Sequence, residues 1–171
     1  AAFALLERPG GSLDADAVLL LGAGESSDAY HMSAPHPEGL GAQMAMAAAL
    51  RSAGLQAVDI DYINLHGTAT LSNDAAEGKA VVALFGDQTP CSSTKGATGH
   101  TLGAAGGLEA VISALALQQA FLPGGINTLH LDPAIPIQYL TANSELAPRR
   151  VMSNSFGFGG TNCSLVLGRA G

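Results

Sequence analysis

The residues of this sequence best suited to chemistry are two histidines in glycine-rich surroundings. His66 opens His66-Gly67-Thr68-Ala69-Thr70, and His100 closes Lys95-Gly96-Ala97-Thr98-Gly99-His100. A neutral imidazole donates one hydrogen bond and accepts another near neutral pH, so either ring can serve as a donor to developing negative charge or as a base. Lys95 adds a cation, and a cation beside an imidazole disfavours its protonation, which would leave His100 neutral. Asp74 and Glu77 lie three residues apart, on one face of a helix, and can reach Lys95. A third segment, Ser155-Phe156-Gly157-Phe158-Gly159-Gly160, lets the backbone bend close to a ligand and expose amide N–H groups of the kind that hold an oxyanion. Taken singly, each has a plainer reading: a structural histidine, a solvated carboxylate pair or helix cap, a glycine hairpin with a buried phenylalanine.

Other candidates are weaker. Gly22-Ala23-Gly24 follows an apolar run, but the third glycine of a dinucleotide fingerprint would fall at Ser27, and Pro35 and Pro37 follow. Ser93-Thr94-Lys95-Gly96 lacks the order of a phosphate loop. His31 and His36 have no companion Cys or carboxylate pair, and Cys91 and Cys163 stand far apart, so no metal site is expected.

Positioning these groups requires ordered elements, and strand-like and helix-like stretches alternate along the chain as in an α/β layer structure. Strands are expected at residues 1–8 and 17–23, separated by Pro9-Gly10-Gly11. The Ala-rich run from Leu40 to Ala53 predicts a helix closed by Gly54. Asp61–His66 reads as a short strand with Tyr62, Asn64 and His66 on one side and Ile63 and Leu65 on the other. A second helix, capped by Asn73 or Asp74, runs to Phe85. Cys91–Thr94 is a buried strand, a glycine-rich loop continues to Gly103, and Leu108–Ala120 is a third helix. Val151–Phe156 and Cys163–Leu167 form a hairpin around Gly157–Asn162. Strand ends of one sheet would bring His66 and His100 into one cavity with Phe158 on its wall.

With 171 residues, 47% hydrophobic and 12% charged, the chain can bury the core of one domain. A formal charge of -7 speaks against a nucleic-acid or anionic-membrane surface. No apolar run approaches the ~20 residues of a membrane span, and the two cysteines form no disulfide framework, so a soluble, cytoplasmic protein is expected. The apolar opening Ala1–Leu6 reads as the inside of an element, as in a piece of a longer chain.

Taken together and in this order, HGTAT, SSTKGATGH followed by LGAAGG, and NSFGFGGTN resemble the C-terminal half of a β-ketoacyl-(acyl carrier protein) synthase, a condensing enzyme of type II fatty acid or polyketide synthesis. The resemblance implies a thiolase-like α/β fold of two βαβαβ halves, residues 1–16 ending the N-terminal half and 17–171 forming the C-terminal domain. It implies a decarboxylative Claisen condensation of an acyl thioester with a malonyl-carrier-protein thioester. By motif position, His66 and His100 would be the catalytic histidines. Lys95 would be the accompanying lysine, held by Glu77 with Asp74 adjoining. Thr68 and Thr70 would bind the phosphopantetheine arm, and Phe158 would be the gating residue whose N–H contributes to the oxyanion hole. No cofactor of its own is implied, since phosphopantetheine arrives on the acyl carrier protein. That carrier is acidic and would need basic residues from elsewhere to dock. The family's nucleophilic cysteine has no match here, because Cys91 and Cys163 read as core residues. It would come from an N-terminal ketosynthase half, in a homodimer or heterodimer. The alternative is a non-catalytic partner subunit like a chain-length factor, which has no chemical need for His66, His100 and Lys95. A thiolase is a further reading, but the reactive Cys motif of its second half is missing.

Overall fold

The computed structural model describes residues 1–170. Five strands form one mixed sheet: β1 (Val18–Ser27), β2 (Tyr62–Asn64), β3 (Cys91–Ser92), β4 (Arg150–Gly157) and β5 (Thr161–Arg169), in the order β1-β5-β4-β2-β3. The helices are α1 (Leu40–Ala53), α2 (Leu71–Phe85), the single turn α3 (Lys95–Thr98) and α4 (Ala105–Gln119). β4 and β5 are the expected hairpin, and β1 extends it antiparallel. β2 runs parallel to both β3 and β4, so the C-terminal ends of these three strands lie along one edge of the sheet. α/β folds place chemistry at such an edge.

Side-chain alternation along β2 sorts the core into two faces. Ile63 and Leu65 pack with Met46 and Ala49 of α1 and with Val81 of α2. Tyr62 packs on the other face with Leu117 of α4, Leu122, Val151 and Leu167. The sheet is thus sandwiched between α1 and α2 on one side and α4 on the other. The buried stripe of α4 is Ala105, Glu109, Ser113, Ala116 and Leu117, spaced as one helix face yet carrying a carboxylate and a hydroxyl.

Three expectations about the elements are corrected. Residues 1–8 form no strand: Phe3, Leu5 and Leu6 are exposed, and an apolar run becomes a strand only when a partner strand takes its hydrogen bonds. α2 begins at Leu71 behind Thr70, so Asp74 lies in its first turn and neither Asn73 nor Asp74 is its cap. The stretch after β3 is not an open loop, because α3 and a 3-10 turn at Leu102–Ala104 occupy it and α4 starts at Ala105.

β1 packs so closely on α1 that its glycines are spacers. A Cβ at Gly24 would collide with the backbone of Ala45 and Ala49, and no side-chain rotation relieves a backbone clash. Gly24→Ala is expected to destabilise the folded protein by about 1–3 kcal/mol through overpacking. Gly10→Ala, with nothing within 4 Å, should be neutral. Denaturant midpoints of the two variants check this, and equal midpoints would refute close packing of β1 on α1.

Candidate active site

His66 stands two residues beyond β2, Lys95 opens α3 just after β3, and Phe156 lies near the end of β4. The parallel register of these strands brings the three together. The ring centroids of His66 and His100 are 5.4 Å apart at an interplanar angle of 87°, and the Phe156 ring lies 5.7 Å from His66. His66 is buried, and His100 is exposed at the edge of the group.

The donors that face the two rings fix their tautomers. The Lys95 ammonium, which can only donate, lies 3.3 Å from Nδ1 of His66. Nδ1 therefore accepts, and the proton of the neutral ring sits on Nε2. Nδ1 of His100 accepts the backbone N–H of Leu102 at 3.2 Å, with the same consequence for its Nε2. Burial, reinforced by the Lys95 cation and by His100, pushes His66 down to about 3, so the ring is neutral throughout the physiological range. The expected cation therefore does stand beside an imidazole, but that imidazole is His66.

The partner of Lys95 also differs from expectation. Its ammonium forms a buried ion pair with Glu109 of α4 and none with Glu77 or Asp74. Glu77 is instead the acceptor for the turn after β2: its two oxygens take the N–H groups of His66 and Gly67, both at 2.8 Å, and Asn154 Nδ2 at 3.2 Å. Burial pushes the Glu77 carboxyl up to about 7, opposed by these three donors, which favour the ionised form. Asp74 accepts from Asn73 Nδ2. Burial also raises the Glu109 carboxyl, against the pull of Lys95. Asn64 Nδ2 lies 3.5 Å from both the Glu109 carbonyl and Ser113 Oγ, while Asn64 Oδ1 and Glu109 Oε2 have no partner among the described residues.

Sequence reasoning missed Glu109, Asn154 and Phe156 as members of this group. The available signal for Glu109 was a lone carboxylate inside a largely apolar helix, on the face that the spacing of Ala105, Ala116 and Leu117 turns inward.

A cavity of about 550 Å³ adjoins the group, lined by Lys95, His100, Glu77, Asp74 and Thr68 and closed by the segment 126–139. Thr68 and Thr70 hydroxyls bond each other at 2.9 Å. Of the three residues expected at this cavity only His100 lines it: His66 does not, and neither does Phe158. Phe158 lies past the end of β4 on the hairpin turn and is 82% exposed, whereas the phenylalanine beside His66 is Phe156. Neither cysteine lines the cavity. Cys91 is enclosed in β3, where burial pushes its thiol up to about 12, and burial also raises Cys163 on β5. Among the described residues, no group of three His, Cys, Asp or Glu side chains is placed to hold a metal ion. No helix among them is long and apolar enough to cross a membrane. The arrangement is one of two imidazoles whose Nδ1 atoms accept hydrogen bonds, each with Nε2–H available to donate, backed by a buried ammonium. It can stabilise oxygen-centred negative charge.

The family described as "Beta-ketoacyl synthase, C-terminal domain" matches residues 17–129. The chain is 46% identical over 154 residues to 3-oxoacyl-[acyl-carrier-protein] synthase 2 of Coxiella burnetii, covering 88% of this chain and 37% of that protein. It is 44% identical over 155 residues to the mitochondrial 3-oxoacyl-[acyl-carrier-protein] synthase of Arabidopsis thaliana, covering 86% and 34%. Among solved structures, the ketosynthase (ApeO) in complex with its chain length factor (ApeC) from Xenorhabdus doucetiae matches with a TM-score of 0.85 and 53% identity, over 90% of this chain and 39% of that one. The chain thus spans little more than a third of the length of these relatives, and its fold is that of the thiolase-like ketosynthases. On this match, and on 44–46% identity over 86–88% of its length, the chain belongs to the β-ketoacyl synthase family, to which it corresponds as the C-terminal domain.

Proposed function

We propose that His66, His100 and Lys95 form the decarboxylating part of a condensing active site that elongates an acyl thioester with a malonyl unit carried on an acyl carrier protein. The observation that supports it best is the adjoining pair of imidazoles whose Nδ1 atoms both accept, leaving two Nε2–H donors. In this reaction the malonyl carboxylate leaves as carbon dioxide, and the electron pair of the broken carbon–carbon bond moves toward the thioester carbonyl. The enolate oxygen takes hydrogen bonds from the two Nε2–H groups. The enolate carbon then attacks the acyl thioester, a new carbon–carbon bond forms, and the carbon–sulfur bond to the acylated cysteine breaks. Burial, reinforced by the Lys95 ammonium at Nδ1, keeps His66 neutral, and Glu109 balances the ammonium.

The acyl-bearing cysteine is supplied by an N-terminal ketosynthase half outside these 171 residues, since a raised thiol such as Cys91 is a poor nucleophile. Thr68 and Thr70 offer hydroxyls to the phosphopantetheine arm, the group that the carrier brings, and no other cofactor is invoked. Asp74 shapes the cavity wall. The enzyme acts in the cytoplasm as a homodimer or heterodimer, with the carrier docking on basic residues outside this acidic domain.

A chain-length-factor role would make all three groups dispensable, and this separates the readings. The complete enzyme or complex is supplied with acyl- and malonyl-carrier protein, and β-ketoacyl product and carbon dioxide are followed by mass spectrometry. His100→Ala in this domain is expected to abolish product. Undiminished condensation by that variant would overturn the catalytic reading in favour of a partner subunit.

A further inference from the structure

The two loops that carry the histidines are joined by one hydroxyl. Ser93 Oγ donates to the carbonyl oxygen of Gly67 at 2.7 Å and accepts the backbone N–H of Lys95 at 3.3 Å. The N–H of Ser93 in turn donates to the Tyr139 hydroxyl at 3.2 Å, so the residue is held from behind by the segment that covers the β3 edge. Gly67 is fixed on both sides, its N–H by Glu77 and its carbonyl by Ser93. There is no slack in the fit: Gly67 has φ +38°, and a Cβ there would lie 2.5 Å from Ser93 Cβ. The link from Gly67 through Ser93 to the Lys95 backbone therefore runs parallel to the side-chain contact between His66 Nδ1 and Lys95 Nζ.

We propose that Ser93 is a positioning residue whose hydroxyl sets the Lys95–His66 contact by locking the turn after β2 to the turn after β3. This rests on the ketosynthase reading for its effect on turnover. Its effect on His66 itself needs only the geometry. The charged and titratable groups around His66 are Lys95 of α3 and His100 beyond it, Glu77 of α2, and Glu109 of α4 acting through Lys95. β4 contributes the uncharged Phe156 and, through Glu77, Asn154. Of these, Lys95 is the one that the Ser93 hydroxyl positions through a backbone bond. Moving its cation away lets His66 protonate at higher pH.

In the complete enzyme, Ser93→Ala is expected to lower kcat for malonyl-thioester decarboxylation about tenfold with KM within about twofold, the pattern of a misplaced catalytic group. Acylation of the nucleophilic cysteine should be unchanged, and the acid limb of the kcat–pH profile should move to higher pH. Tyr139→Phe, which leaves the Ser93 hydroxyl in place but removes its support, should move the limb in the same direction by less, and serves if Ser93→Ala does not fold. A wild-type profile in the folded variants would overturn the proposal, as would equal losses of acylation and decarboxylation. If the wild-type enzyme itself does not decarboxylate, the ketosynthase reading falls. The titration of His66 followed by NMR in wild type and variant then still decides the matter, an unmoved midpoint refuting the role of Ser93.

Discussion

His66→Ala in the complete enzyme is expected to lower the rate of malonyl-thioester decarboxylation by about 10²–10³, the cost of removing one preorganised donor from an oxyanion site. His66 is buried, carries its proton on Nε2 because Lys95 occupies Nδ1, and stays neutral because burial and the ammonium both oppose a second proton. Alanine removes that donor and leaves the ammonium facing a void. Release of carbon dioxide from a malonyl thioester measures the loss, and alkylation of the nucleophilic cysteine serves as a control that should change little. A variant within about threefold of wild type would show that enolate stabilisation does not pass through this ring. His66→Gln tests the same point by another route: an amide N–H in the place of Nε2–H should recover part of the rate if hydrogen-bond donation is what matters.

Lys95→Met is expected to be the most destabilising single change at the site. The side chains of Lys95 and Glu109 are only 6% and 2% exposed. Removing the cation strands a carboxylate whose other oxygen, Oε2, already has no partner, and breaking a buried pair in this way costs about 3–5 kcal/mol. The double variant Lys95→Met/Glu109→Met removes both charges and should recover much of the stability without recovering turnover, since His66 then lacks its Nδ1 donor. Chemical denaturation of the single and double variants measures the coupling. Additive losses would show that the ion pair does not hold these elements together, and a Glu77→Met change rescuing Lys95→Met in place of Glu109→Met would restore the pairing expected from sequence.

Much of this was legible before the fold was known. The Ala-rich helix from Leu40 to Ala53, the alternation that puts Tyr62 and Ile63 on opposite faces and the glycine hairpin after Phe156 each follow from local propensity and periodicity. So does the placement of His66 and Lys95 just past strand ends, because α/β chains leave their strands through such turns. The apolar run at residues 1–8 misled for a related reason: propensity describes what a segment can do, and pairing depends on a neighbour.

The carboxylate that neutralises Lys95 could not be chosen in this way. Asp74 and Glu77 were attractive because helical spacing makes i and i+3 neighbours, a local rule, while Glu109 lies 14 residues after Lys95 on a different helix. Only the layering, with α4 packed on one face of the sheet and α2 on the other, sends Glu109 to the ammonium and Glu77 to the backbone of His66 and Gly67. The same holds for Phe156 against Phe158: two identical residues in one motif are distinguished by where β4 ends. One-dimensional order therefore supplied the reactive groups and the elements that carry them, through interactions between near neighbours in the chain. Their pairing was settled by the packing of distant segments, because a buried charge takes whichever opposite charge the fold brings within contact distance and excludes from water.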